Sequence, residues 1–570
     1  MENSRKVGAA LSRLYGDLEA VREGSGWETR LKCAGYMKHR SGYAGTSVPN
    51  IVTHEDMSRS YFDTFTDGFI GYLMPHDDTW FSMVPSVSFD ERKEYGGFGS
   101  MMRDRKADDM LRVGDDVVQM VLDRFAEGNM YECARIVCKD GETFGKGFMY
   151  IEDRGDGKVS YMDIDPQEVV CSENRYGEME VFIRKFLKSP AELISEFPDA
   201  SMPLVRQRFR SGTDVYNPDV EVMEAVIRKK SFVDPETGLP FPVDEKDARE
   251  FCHIVYVVPE MEVVLEGSFS EMPVVAYTPE RDNSMSPWGK GLVGRCIEEI
   301  VTLDVMRNLK MIGYEKNANP PMLIHESLHG AFSTKAGAKN FTNDISTQTA
   351  VPVFKEGASN NYQAMVNDIQ DARDQIRQLM NADLFRTLMS STDSRKTAYE
   401  VSELKNEAVT LLSMKVGGFE RSVIQPMVRR TVRIMLGNME SEVYPGVPNR
   451  KLADYVCTFR VMLNSVFVRR LQGYIKYQGL VSGIQFIGAW GQVEQTKASM
   501  VVDSDVLLRS GLFGAGFPAY CIKTMEDLEK DRDEQKRMSD QMMQAQLNEQ
   551  NSKAMKNMAS SMPMVEGMQQ

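Results

Sequence analysis

Long apolar runs are missing from this 570-residue chain. No window approaches the about 18 uninterrupted apolar residues of a membrane-crossing helix, so none is expected. The first twenty residues, MENSRKVGAALSRLYGDLEA, hold Glu2, Asp17 and Glu19 and no apolar core, which argues against a secretory signal or transit peptide. Cysteine is sparse. Cys33, Cys133, Cys138, Cys171, Cys252, Cys296, Cys457 and Cys521 are scattered with no C-x-x-C, so buried free thiols are expected rather than disulfides or a zinc knuckle. Positive charge is in deficit, with a formal net charge of −15. That argues against a broad non-specific DNA-clamping surface, which is usually basic, without excluding contact with nucleic acid. It leaves room for DNA that must slide, because each neutralised phosphate adds affinity through counterion release. The glycine-rich stretches GYEKNAN and GGFGS lack the G-x-x-x-x-G-K-[ST] spacing of a phosphate cradle, and there is no G-x-S-x-G elbow.

What is present is a sequence of alternating element types. Residues 1–40 are predicted helical from Leu11, Leu14, Tyr15 and Leu18, a second helix runs from near Asp56 to Pro75, and a third spans 108–128. A turn and a short strand are expected over 77–85. From 131 to 185 the period becomes two, and strands are expected again through 221–279, so 130–280 reads as mainly β. SPAELISEF (189–197) predicts a short helix with Ser189 as N-cap and Pro190 at the first position. Asp163 and Asp165 in YMDIDP are read as belonging to a turn before Pro166 rather than as a catalytic pair.

After Trp288 the pattern changes. Residues 289–318 predict one helix about 45 Å long, with Leu292, Cys296, Ile300, Leu303, Met306 and Ile312 on one broad apolar face, stopped by Pro320-Pro321. Gly289-Lys290-Gly291 at its start is read as a plain N-terminus rather than an anion site. Residues 322–365 are short and partly extended. A second helix follows, with Ile369, Ala372, Ile376 and Leu379 on its stripe, and then a polar loop, RTLMSSTDSRK (386–396). Thr397 and Glu400 form a capping box for a further long helix, in which Gly417-Gly418 and Pro426 predict kinks. YVCTFRVML predicts a strand, Thr524 caps a charged helix from Met525, and the last 20 residues are expected to be disordered.

One motif suggests chemistry. His325-Glu326-Ser327-Leu328-His329 has the H-E-x-x-H form, which on a helix sets two imidazoles on one face to grip zinc, with the glutamate as base. Its context is poor. Pro320-Pro321 precede it, Gly330 follows directly, and no third ligand continues the pattern, the nearest downstream acids being Asp344 and Glu356. A surface turn is the preferred reading, no metal and no cofactor are expected, and His325 and His329 remain the only metal candidates. The alternatives held open are a zinc-dependent hydrolase using these residues and a ring-forming structural adaptor without a DNA channel.

Four stretches carry a resemblance: SRSYFDTFTDGFIGYLMPHDDTWFSM (58–83), YMDIDPQEVVCSENRYGEMEVFIRKFLKSPAELISEF (161–197), EMPVVAYTPERDNSMSPWGKGLVGRCIEEIVTLDVMRNLKMIGYEKNANPPML (271–323) and KTAYEVSELKNEAVTLLSMKVGGFERSVIQPMVRRTVRIM (396–435). In order and content they resemble the portal, or head-to-tail connecting, proteins of short-tailed T7-like bacteriophages. The resemblance implies an α+β portal fold and a ring of about 12 copies at one capsid vertex. It assigns 1–288 to a wing, 289–317 and 366–384 to a stem, 318–365 to a clip, 385–396 to a tunnel loop, 397–440 to a kinked wing helix, 441–517 to wing and crown, and 518–570 to a crown helix and tail. The implied function is a channel for packaging and ejecting double-stranded DNA, with no catalysis. The implied partners are the protein itself, major capsid and scaffolding proteins, the terminase motor, tail adaptor or nozzle proteins and DNA, with no membrane. The implied location is the virion, after synthesis in the host bacterial cytoplasm.

On that reading the channel candidates are Phe385, Arg386, Leu388, Met389, Ser390, Ser391, Thr392, Arg395 and Lys396 in the loop. Arg307, Lys310, Arg373 and Arg377 on the stem would face either the lumen or a neighbouring copy, where Asp368, Asp371 and Asp374 offer pairing.

Overall fold

The computed structural model describes residues 2–40, 48–76, 78–84, 105–154, 158–212, 214–231, 249–281, 286–318, 322–324, 350–352, 359–383, 412–438, 460–463 and 525–560. Its architecture is mixed helix and antiparallel sheet, the α+β class expected. In chain order the helices α1 (Glu2–Gly24), α2 (Trp27–Met37) and α3 (Met57–Leu73) precede strand β1 (Phe81–Val84), and α4 (Arg105–Glu127) and α5 (Met130–Phe144) follow. Then come β2 (Gly147–Asp153), β3 (Val159–Ile164), β4 (Val169–Glu173), β5 (Met179–Lys188), α6 (Pro190–Glu196), α7 (Pro203–Ser211), β6 (Val220–Arg228), β7 (Phe251–Val257), β8 (Glu262–Phe269) and β9 (Val274–Tyr277). The chain continues with α8 (Leu292–Ala318), β10 (Met322–Ile324), β11 (Ala350–Pro352), α9 (Ser359–Leu379), α10 (Gln425–Asn438), β12 (Arg460–Leu463) and α11 (Met525–Ser560).

Two compact units divide the chain. The first holds 1–80, 121–457 and 465–467. Its main sheet has the order β4-β5-β6-β7-β8, every neighbouring pair antiparallel, and a smaller sheet has the order β3-β2-β9. Alternation explains how the five-stranded sheet is covered on both faces. Met223, Ala225, Ile227, Cys252, Ile254 and Tyr256 meet Leu11 and Tyr15 of α1, while Val222, Val255 and Val257 on the other face meet Leu193 and Val205 of α6 and α7. With both faces covered, β7 is buried along its whole length, FCHIVYV. α6 begins as the sequence predicts: Ser189 Oγ accepts from the Glu192 amide and the Glu192 carboxylate accepts from the Ser189 amide, a complete capping box.

The second unit holds 81–120, 458–464 and 468–570. β1 and β12 pair antiparallel in it, Phe81 opposite Leu463, and Phe81, Met83, Val461 and Leu463 are buried. α11 also belongs here, and the side chains described from Arg537 onward are exposed.

Several expectations need correction. Residues 130–144 form helix α5, not a strand. Tyr131, Ile136, Val137 and Thr143 are β-formers, yet Met130, Ala134, Val137, Cys138 and Gly141 recur at helical spacing and are all buried, so packing overrides propensity. α7 was likewise unforeseen inside the region read as mainly β. α11 continues to Ser560, ten residues into the stretch expected to be disordered; no Gly or Pro interrupts 551–560, and Lys553 pairs with Glu549 at 2.8 Å, one turn away. The paired helices need two changes: Ile312 lies on the exposed side of α8, and Leu379 is exposed while Met380, four residues after Ile376, takes the buried place.

Other readings hold. The six described cysteines are free and buried, and Cys457 and Cys521 lie outside the described residues. Asp165 caps a 3-10 turn at Pro166–Glu168, its side chain accepting from the Gln167 amide, but Asp163, also read into a turn, lies in strand β3 and pairs with Arg40 at 2.8 Å. Between Gly417-Gly418 and Pro426, where kinks were predicted, the helix widens into a π turn over Glu420–Ile424. Pro426 has no N–H to continue the ladder, which gives the local cause.

Candidate functional site

The site is the pair of long helices α8 and α9. α8 leaves the body of the first unit through a narrow joint. Gly145 ends α5 at φ +83°, and a Cβ there would lie 2.0 Å from the Gly289 carbonyl oxygen. A Cβ on Gly291 would lie 2.1 Å from the Glu142 carbonyl oxygen, so only glycine admits this approach. The helix N-terminus is already occupied by an anion from the same chain: the Leu292 amide donates to Glu142 Oε2 at 2.9 Å. That is why Gly289-Lys290-Gly291 resembled an anion site while being a plain helix start.

The inner stripe of α8 is apolar and covered. Val293, Cys296, Ile297, Ile300 and Leu303 pack with Ile369, Ile376 and Met380 and with Cys33, Met37 and Phe62 of α2 and α3. Fully burying an aliphatic side chain of this size is worth roughly 1.5–3 kcal/mol. The outer stripe behaves differently. Arg295, Glu298, Thr302, Val305, Leu309 and Ile312 follow one another at spacings of three and four, and all are exposed. The first three are polar. Val305 and Leu309 are each 52% exposed and Ile312 is 37% exposed. The stripe therefore changes from polar to apolar halfway along one helix, on the side about 200° round from Leu303. Met311 and Tyr314 add further exposed apolar surface on the same turns.

The stem cations are held within the chain. Glu55, 4% exposed, receives Arg373 Nη2 at 2.6 Å and has Arg307 Nε at 3.0 Å. Arg377 pairs with Asp383 at 2.9 Å and Asp374 at 3.5 Å, and the Lys310 ammonium lies 5.8 Å from the centre of the Tyr314 ring. Asp304 accepts the His54 amide at 2.6 Å. The segment before α3 thus bridges both long helices. Sequence reasoning missed Glu55, which is separated from Arg373 by 318 residues and carries no local signal.

Phe385, Arg386, Leu388, Met389, Ser390, Ser391, Thr392, Arg395 and Lys396 lie outside the described residues, as do His325, Glu326 and His329. Among the described residues no group of three or more His, Cys, Asp or Glu converges to hold a metal, and no helix is long and apolar enough to cross a membrane.

Two comparisons bear on the site. Over 382 residues, 65% of this chain and 66% of the relative, the sequence is 21% identical to the "Probable portal protein" of Bordetella phage BPP-1. The match therefore spans just under two thirds of that relative's length. The family model for the bacteriophage head to tail connecting protein matches residues 15–522, which include α8, α9 and the joint that carries them. The chain belongs to the bacteriophage head to tail connecting protein family.

Proposed function

We propose that the chain is a phage portal protein, which closes into a ring of about 12 copies and forms the channel at one capsid vertex through which double-stranded DNA enters and leaves. The single observation that carries the ring is the apolar half of the outer stripe, Val305, Leu309 and Ile312, which is exposed among the described residues. Completing the burial of each of these half-exposed side chains is worth roughly 1 kcal/mol, repeated at every joint of a closed ring. The occupant is a second copy of this chain. A rotation that places one copy's outer stripe on the next copy makes a heterologous interface, which closes when the rotation divides the circle.

In this reading 1–288 is mainly wing, 289–317 and 366–384 are stem, 318–365 is clip, 385–396 is the tunnel loop, 397–440 returns through the wing, and 441–570 forms wing, crown and tail. The chain's part is structural: it shapes a bore, and a separate terminase motor does the work. Tail adaptors dock at the clip, and capsid and scaffolding proteins surround the wing. The assembly resides in the virion after synthesis in the host cytoplasm. Because Arg307 and Arg373 share Glu55 and Arg377 shares Asp383, the cations assigned to meet a passing phosphate in this reading are Arg386, Arg395 and Lys396 of the loop. A chain of net charge −15 favours sliding over gripping.

Negative-stain imaging of the purified protein tests this directly. Mushroom-shaped rings with an open centre are expected. Particles that stay monomeric under all assembly conditions, or rings plugged by protein in every state, overturn it.

A further inference from the structure

One buried carboxylate joins elements that the chain keeps far apart. Glu142, on the last turn of α5, is 1% exposed. Its Oε2 takes the Leu292 amide that opens α8. Its Oε1 accepts the Tyr277 hydroxyl of β9 at 3.1 Å and the Lys415 ammonium at 3.3 Å. Lys415 lies on the helical stretch 412–419, which runs through the π turn into α10, and its ammonium sits 4.8 Å from the centre of the Phe65 ring on α3.

The three contacts depend on one another. Tyr277 is fully buried, and burial first, then the neighbouring Glu142, push its hydroxyl well above the ordinary range, so it stays a neutral donor. Lys415 supplies the only full positive charge within hydrogen-bonding reach of Glu142 among the described residues. If the helix bearing Lys415 shifts, Glu142 is left as a buried charge facing two neutral donors, and removing one partner from a buried pair is costly. The carboxylate then has reason to turn, and Leu292 loses its cap.

We propose that Glu142 is a coupling latch between α8 and the helix 412–438, so that displacement of the second loosens the first. In the portal reading this links the helix that follows the tunnel loop to the stem, and that functional consequence rests on the reading. The coupling itself does not.

Hydrogen exchange on the full-length protein tests it. Lys415→Met keeps the length of the side chain and removes its charge. The expected result is exchange faster by roughly tenfold at the amides of 292–296, although the substitution touches none of them, with β7 amides unchanged as the internal control. Glu142→Gln keeps an oxygen for the Leu292 amide and loses the ammonium, so exchange should rise both at 292–296 and at 412–419. Faster exchange confined to 412–419 in Lys415→Met, or no change at 292–296 in either variant, overturns the latch. Loss of protection in β7 would mean that Lys415→Met has unfolded the unit; Lys415→Gln, which also removes the charge and touches none of the 292–296 amides, then decides by the same readout. Ring formation is read separately by imaging, so failure of the latch and failure of the portal reading cannot be confused.

Discussion

The two halves of α8 have similar helix-forming composition and opposite surroundings. From Leu292 to Asp304 the apolar residues face α2, α3 and α9, and the exposed side carries Arg295, Glu298 and Thr302. From Val305 to Tyr314 the exposed side itself is apolar. A helix that served only its own chain would keep one polar stripe to its end. The switch at residue 305 is confined to the exposed side, since Met306 and Arg307 on the other side still meet the core and Glu55. Exposed apolar surface concentrated in this way, rather than scattered, is what the proposed ring would cover.

The strongest test of that contrast is to charge the second half. Leu309→Asp with Ile312→Asp should abolish rings in sedimentation velocity while the monomer's unfolding free energy stays within about 0.5 kcal/mol of the parent. Surviving rings would break the comparison. The first half should respond in the opposite way: Leu303→Ala should cost about 2–5 kcal/mol in urea unfolding, since it empties a packed position. Glu55→Gln comes next. It leaves Arg307 and Arg373 without their shared partner, and about 2 kcal/mol is expected rather than the 3–5 of a fully buried pair, because Arg307 is one-third exposed.

A perturbation remote from both halves should not distinguish them. Asp165 is pushed up to about 6, first by burial and then by the charge of Asp140. Its folded value lies above its unfolded one, so the folded state holds the proton more tightly. Stability therefore falls as pH rises from about 4 to about 6, and the loss is complete above that. Asp165→Asn keeps a side-chain oxygen for the Gln167 amide and should flatten that slope, gaining about 1 kcal/mol at neutral pH, with rings unaffected. The smallest effect belongs to the polar half of the outer stripe. Thr302→Ala should change the unfolding free energy by less than about 0.5 kcal/mol and leave assembly intact.

Much of this was legible in the sequence because the signals are local. The capping box at Ser189 and Glu192, the proline pair after Ala318 and the period of α8 each act within a few residues. α5 was not legible, because its β-formers point one way and only contact with β2 and β3 decides the matter. Ile312 was read onto the covered face because hydrophobicity alone does not say which side of a helix another helix occupies. Glu55 and Glu142 act on residues 318 and 150 positions away respectively, and a sequence window has no access to such distances. The resemblance to the connector family drew on four long stretches together, which is why it survived local errors in element type.

The π turn at Glu420–Ile424 has a consequence of its own. Before it the buried positions run Leu412, Val416 and Phe419; inside it Val423 and Ile424 are buried side by side; after it they run Met427 and Val428, Thr431 and Met435. The winding has gained a residue, and the count restarts one place later. Because of that offset Arg430 reaches the Ile151 carbonyl at 2.8 Å and Thr431 meets the Tyr161 hydroxyl at 2.8 Å. Deleting one residue between 420 and 424 would restore the ordinary helical count and turn everything downstream by about 100°, swinging this arginine and threonine out of their seats. The extra residue works as a phase adjuster, letting a single helix mesh first with α3 and β9 through Phe419 and then with β2 and β3 through Arg430 and Thr431.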